Sequence, residues 1–188
     1  MGFFDDAENV FEYIKMAEGY DGRELVNVLK RYLSAGSSVL ELGMGPGVDL
    51  DLLAQTYRVV GSDASQVFID LYREKHPNVE LLEVDATSFC LDRNFDCIYS
   101  NKVLHHLTRE DLRRSFISQR EHLGEVGLLM HSFWYGDREE TEQGLRFVYY
   151  TKEILMDVIG SGFEAVESSR YTEMEDEDSF YILLRKTA

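Results

Sequence analysis

With 188 residues, 44% of them hydrophobic, the chain has the length and composition of one soluble globular domain with a sizeable core. Its 35 Asp and Glu outnumber its 19 Lys and Arg, and the formal charge of −16 argues against nucleic acid or an anionic membrane as partner. No apolar stretch approaches the roughly 20 residues of a bilayer span, and Met1 to Asp6 lacks the features of a secretion signal, so a cytoplasmic protein is expected.

Residues 6–34 read as two helices, with Asp21 and Glu24 as a start box for the second and Gly36 as its end. They form a helical cap (1–36) ahead of a core (37–188). The core opens on an apolar β-type run, Ser38 to Leu42, which feeds into Gly43, Gly45 and Gly47 and then into a helix carrying Leu50, Leu52 and Leu53. Arg58 to Asp63 is a second strand. Ser65 caps a helix that must stop before Pro77. Val79 to Val84 and Phe95 to Ser100 are further strands; Cys90 and Cys97 sit at or near a central strand and are expected to be buried free thiols. Thr108 with Asp111 starts another helix, and Gly127 to Phe133 is a fifth strand. Thr151 caps the last helix, which Gly160 and Gly162 end. The segments Phe163 to Tyr171 and Phe180 to Arg185 then make a hairpin across an acidic turn, Glu173 to Asp178, read as a solvated loop. Strands separated by helices imply a parallel sheet covered on both faces, and the hairpin makes one edge antiparallel.

Glycines at a strand-to-helix turn let the backbone approach a ligand, and the free N–H groups of the helix face it. Three strand-end acids, Glu41, Asp63 and Asp85, fall on the carboxyl edge where open α/β sheets bind ligands. An acid about 20 residues after the glycine turn commonly takes the hydroxyls of a ribose, and Asp63 fits. NAD and S-adenosylmethionine both remain open at this point. The dinucleotide fingerprint needs a small third residue, but Val48 or Leu50 stands there. Glu41 would also face a pyrophosphate with negative charge, whereas it suits a ligand carrying an ammonium and a sulfonium.

The set Glu41-x-Gly43-x-Gly45-x-Gly47, then Asp63, then Asp85-Ala86, then Phe95-Asp96 through Leu107 resembles the class I S-adenosylmethionine-dependent methyltransferases of small-molecule type. The likeness spans roughly residues 37 to 185. It implies a three-layer Rossmann-like α/β fold with seven mostly parallel strands. Glu41 and the turn Gly43 to Gly47 would hold the methionine end of the cofactor. Asp63 would bind the ribose, with Ala64 on the adenine, and Asp85 with Ala86 would meet the adenine edge. Asn101 would sit beneath the cofactor, with Leu104 and His105 lining that side. Tyr13 and Tyr20 are candidates to close over it.

Methyl transfer from a sulfonium needs alignment and exclusion of water, and only sometimes a base. Base candidates are His105, His106, His131 and Tyr149. No metal is expected: on an extended stretch His105 and His106 point opposite ways, so one lines the pocket and the other packs elsewhere. An Asn-Pro-Pro-aromatic motif is absent, and Ser100-Asn101-Lys102-Val103 stands in its place. Trp134, Tyr135, Arg146 and Tyr149 are available to wall an acceptor pocket; the aromatic content suits a planar or cationic acceptor, and Phe147 and Tyr150 read at least equally as core. The expectation is methyl transfer to a small-molecule acceptor. The alternatives are a non-catalytic S-adenosylmethionine-binding module and an NAD-dependent Rossmann enzyme.

Overall fold

The computed structural model describes residues 3–142 and 144–187. Met1 and Gly2, part of the start read against a secretion signal, lie outside the described residues. The main sheet has seven strands: β1 (Ser38–Leu42), β2 (Arg58–Asp63), β3 (Glu80–Glu83), β4 (Phe95–Asn101), β5 (Leu123–Trp134), β8 (Phe163–Tyr171) and β9 (Ser179–Lys186). Their order is β3-β2-β1-β4-β5-β9-β8, and the pairs among β1 to β5 are parallel. Only β9 runs against its neighbours, β5 and β8, as the helix-free connection across residues 172–178 requires. The expected seven-stranded, mostly parallel sheet with an antiparallel C-terminal hairpin is the fold observed.

Alternation along the strands splits the core into two layers. Val39, Cys97, Tyr99, Met130 and Leu183 pack with Leu25, Val26 and Leu29 of helix α2 (Arg23–Leu29) and Leu53 of α3 (Val48–Ala54). On the opposite face Leu40, Ile98, Leu129 and Ile182 pack with Leu112 and Phe116 of α5 (Arg109–Glu121) and Leu155 and Val158 of α6 (Lys152–Ile159). Phe68, Ile69 and Tyr72 are the buried face of α4 (Gln66–Lys75). Burying the large side chains of both layers contributes about 1.5–3 kcal/mol each, an upper estimate against an extended unfolded chain.

Side-chain caps fix the helix starts where the sequence places them. Ser65 accepts from the Phe68 amide at 3.4 Å, Thr108 from Asp111 at 3.1 Å and Thr151 from Ile154 at 3.3 Å. The N-terminal cap is α1 (Ala7–Met16) followed by α2. Here the residue preceding α2 is Gly22, with Asp21 accepting from the Arg23 amide at 3.0 Å, and α2 stops at Leu29, well before Gly36. Cys97 is buried as expected, but Cys90 is exposed, because it falls in the loop between β3 and β4. Strand β5 begins at Leu123, earlier than Gly127. A second small sheet, β6 (Glu139–Glu142) with β7 (Leu145–Val148), lies between β5 and α6. Periodicity gave no sign of it: its burial alternates only weakly.

No helix among the described residues is long and apolar enough to cross a membrane.

Candidate functional site

One cavity opens at the carboxyl edge of β1 and β4, roofed by α1 and flanked by the β6–β7 hairpin. Its floor is Glu41, Gly43, Met44, Gly45, Val48, Asp49 and Asn101; Phe4, Tyr13, Met16 and Tyr20 cover it from the N-terminal side. Beyond Asn101 it continues between Lys102, Val103, His105, His106, Trp134, Leu145, Phe147, Glu173 and Met174.

Glu41 ends in this cavity with its carboxylate 3% exposed and Oε2 without a hydrogen-bond partner. Burial first, and then the neighbouring Asp49, Asp63 and Asp51, push its pKa well above the usual carboxylate range. A buried, unpartnered carboxyl among other acids is costly unless a cation meets it. Gly45 has φ 50°, and an added Cβ would find only a Tyr13 ring carbon at 3.9 Å, so the backbone here faces open space under the Tyr13 ring. An orphaned carboxyl beside a bare backbone fits a ligand that is cationic and closely held.

Gly43 also lines the cavity, whereas Gly47 does not; a Cβ on Gly47 would lie 2.2 Å from the Tyr72 ring, so its requirement is packing. Asp63 lies outside the lining. Its oxygens accept from the amides of Gly45 at 2.9 Å and Ser65 at 2.8 Å, which ties the glycine turn to the end of β2. Above it Phe4, Tyr13 and Phe68 form an edge-to-face cluster, and the Ser65 hydroxyl donates to the Phe4 carbonyl at 2.6 Å. Ala64 is exposed outside this cluster, and Leu104 is wholly buried in the core. Asp85 is exposed, with Oδ1 accepting from the Thr87 amide at 2.8 Å, and neither it nor Ala86 reaches the cavity.

Asp49, which the sequence did not single out, is the hub of the site. It accepts from the Gly22 amide at 2.6 Å, the Tyr99 hydroxyl at 2.7 Å and Asn101 Nδ2 at 3.0 Å. A Cβ on Gly22 would overlap Tyr99 and Asp49, so a bare glycine is what lets the helical cap dock on the turn. Asp two residues past Gly47 at the first turn of α3 was the available signal.

On the far side, Lys102 holds φ 55°, rare outside glycine. Its ammonium lies 3.2 Å from the centre of the Trp134 ring and pairs with Glu173 Oε2 at 2.5 Å, also donating to Ser179 Oγ at 2.7 Å. The acidic turn is therefore not merely solvated: Glu173 and Met174 reach the cavity, and Asp178 accepts from the amides of Glu173, Met174 and Glu175.

His105 and His106 occupy a 3-10 turn, Leu104–His106, not an extended stretch, so both rings face the cavity with centroids 4.0 Å apart. His106 Nδ1 donates to the Arg146 carbonyl at 2.7 Å and docks the hairpin. His105 is 2% exposed, with both ring nitrogens unpartnered. Burial, with His106 and Lys102 adding to it, holds its pKa well below the usual histidine range.

Two base candidates are removed by their surroundings. His131 lies in the core, bonded to Ser100 Oγ and Gln119 Oε1 at 2.8 Å each, away from the cavity. Tyr149 donates to Glu140 Oε1 at 2.5 Å under the Arg138 guanidinium, outside the lining, and burial with the Glu140 bond raises its pKa. Of the expected acceptor wall only Trp134 lines the cavity; Tyr135, Arg146 and Tyr149 do not. Phe147, read as core, does, and Tyr150 is core. Among the described residues no group of three or more His, Cys, Asp or Glu is placed to hold a metal ion.

Residues 39–127 match the family described as "Methyltransferase domain". An uncharacterised methyltransferase of Oceanobacillus iheyensis is 28% identical over 134 residues, covering 70% of this chain and 61% of that protein. The chain spans less than two thirds of the length of the first curated relatives it matches. Among solved structures, the glycopeptide N-methyltransferase MtfA complexed with S-adenosyl-L-methionine superposes with a TM-score of 0.74 at 17% identity, covering 91% of this chain and 89% of that one. The 1,6-didemethyltoxoflavin-N1-methyltransferase of Burkholderia thailandensis, with bound 1,6-didemethyltoxoflavin and S-adenosylhomocysteine, gives 0.75 at 18% identity, covering 100% and 92%. With its glycine turn, its strand order and the domain match over residues 39–127, the chain is similar to the class I S-adenosylmethionine-dependent methyltransferases.

Proposed function

We propose that the protein transfers a methyl group from S-adenosylmethionine to a small-molecule acceptor by in-line displacement. The observation that carries this is the unpartnered, buried Glu41 carboxyl beside the bare Gly45 backbone, in a cavity that continues past Asn101 to an aromatic wall. When bound, the cofactor supplies a methyl group already activated as a sulfonium. Glu41 and Asp49 offer negative charge to its cationic end, and the Gly43 to Gly45 backbone lies against it. Tyr13 and Tyr20 roof the site and limit water. Asp63, outside the lining and bonded to the Gly45 and Ser65 amides, is assigned to the ribose from its place at the end of β2.

MtfA and the toxoflavin enzyme, by their names, methylate a glycopeptide and a small heterocycle, and a small-molecule acceptor here is in keeping with them. Open space on the acceptor side supports an enzyme over a binding-only module, which would fill it. An NAD-dependent reading meets the Glu41 carboxyl where a pyrophosphate would lie.

Calorimetry should show micromolar binding of S-adenosylmethionine, weakened about tenfold in Asp63→Ala, roughly 1.4 kcal/mol. Absence of binding, or tight binding of NAD instead, would overturn the reading.

A further inference from the structure

The acceptor half of the cavity has a chemistry of its own. Its walls are the Trp134 indole, the Phe147 ring and the His105 imidazole, which stacks on Phe147 at 5.4 Å and 20° and meets Trp134 edge-on at 6.3 Å. Two charged groups face it, and they cancel: Lys102 is paired with Glu173. The Lys102 ammonium already occupies one face of the indole, so a second cation would gain little from that ring. His106 faces the same space; its Nδ1 proton is committed to the Arg146 carbonyl, which leaves Nε2 as a second acceptor beside His105. The acids without a basic partner, Glu41 and Asp49, lie on the cofactor side. What remains for an incoming molecule is an aromatic wall whose Trp134 ring is steeply inclined to His105, and two neighbouring imidazoles, of which His105 has both nitrogens unpartnered.

We propose that the acceptor is an uncharged, planar molecule carrying an N–H or O–H, and that His105 orients it by accepting that hydrogen while the Trp134 and Phe147 rings wall it in. This rests on the methyltransferase reading above. A neutral imidazole has one acceptor nitrogen and one donor N–H, so it can fix the edge of such a ring in a single orientation. His105 is too weak a base to strip an ammonium, since burial disfavours its charged form. An acceptor amine that arrives protonated would therefore find neither a counter-charge nor a base. A carboxylate would meet only Lys102, already neutralised.

Trp134 is the sole tryptophan, so its indole N–H gives one resonance that reports on this wall. The test uses ¹⁵N-labelled protein saturated with S-adenosylhomocysteine, its binding first measured by calorimetry. Aniline, benzylamine and benzoate are titrated at neutral pH, where the first is uncharged, the second an ammonium and the third a carboxylate. Aniline should shift the indole resonance saturably and bind at least about fivefold tighter than either charged probe, the weight of one hydrogen bond. His105→Phe, saturated with S-adenosylhomocysteine according to its own measured affinity, should abolish that preference. His105→Asn, which keeps a hydrogen-bond acceptor, should restore part of it. Equal or tighter binding of benzylamine or benzoate, no saturable shift with any probe, or a preference that survives in His105→Phe overturns the proposal. Failure to bind S-adenosylhomocysteine overturns the methyltransferase reading, and this proposal with it.

Discussion

Glu41 and His131 are both buried titratable groups, and they answer protons in different ways. Glu41 has a carboxyl whose proton is retained by burial and by Asp49, Asp63 and Asp51 around it. A cationic ligand at Oε2 reverses that balance and favours the carboxylate, so binding should expel a proton. Calorimetry of S-adenosylmethionine at neutral pH in two buffers of different ionisation enthalpy should show net proton release, and Glu41→Gln should show less. Identical apparent enthalpies for the unaltered protein would exclude this role. His131 has no ligand to meet: Ser100 and Gln119 satisfy both nitrogens of its neutral form, and burial lowers its pKa to about 3. The unfolded chain titrates near 6.5. This contribution is complete above that value and is lost progressively as pH falls toward about 3. By about pH 4.5 the loss should amount to roughly 3 kcal/mol. Urea unfolding of the native protein and of His131→Asn at neutral pH and at about pH 4.5 checks it; the variant should lose less on acidification.

At the scale of elements, the strand-to-helix turn asks different things of neighbouring glycines. Gly45 and Gly47 both have positive φ, 50° and 85°, which costs a residue with a Cβ about 1–2 kcal/mol. Gly45→Ala adds little beyond that, since its Cβ enters open space; it should unfold only a few degrees below the native protein yet bind the cofactor poorly. Gly47→Ala also drives a methyl into the Tyr72 ring, at 2.2 Å, and should cost about 3 kcal/mol in all. Thermal unfolding beside cofactor titration separates the two; equal destabilisation would contradict the geometry. The turn was legible because strand, glycines and helix follow one another locally. So were the caps Ser65, Thr108 and Thr151, each read from its own short segment. Asp49 was not, since its partners Gly22, Tyr99 and Asn101 come from three separate elements. Nor was the β6–β7 hairpin, whose two four-residue strands have little burial to pattern. The sequence left His131 open between base and structural role, because a strand-end histidine looks alike whether it faces a pocket or a buried glutamine; the structure gives the second. The extended reading of His105 and His106 failed because the 3-10 turn rotates both rings to one side.

For the whole molecule, charge sets two opposed responses to salt. With 35 acids and 19 bases, sixteen acids have no basic counterpart even if every base were paired. The ion pairs observed are mostly exposed, as with Arg73–Asp70 and Arg185–Glu164, and such pairs contribute about 0–1 kcal/mol each. Repulsion among the excess acids acts over the whole surface, and added salt screens it, with a Debye length falling from about 30 Å at 0.01 M to about 8 Å at 0.15 M. Raising salt across that range should therefore raise the unfolding temperature. The same acids attract a cationic ligand toward Glu41 and Asp49, and screening weakens that attraction, so the association rate of S-adenosylmethionine should fall as stability rises. Differential scanning calorimetry and stopped-flow binding over one salt series test both signs together. A falling unfolding temperature would mean that ion pairs outweigh the excess charge. A rate indifferent to salt would mean that the ligand is drawn in by the buried Glu41 alone and not by the field of the molecule.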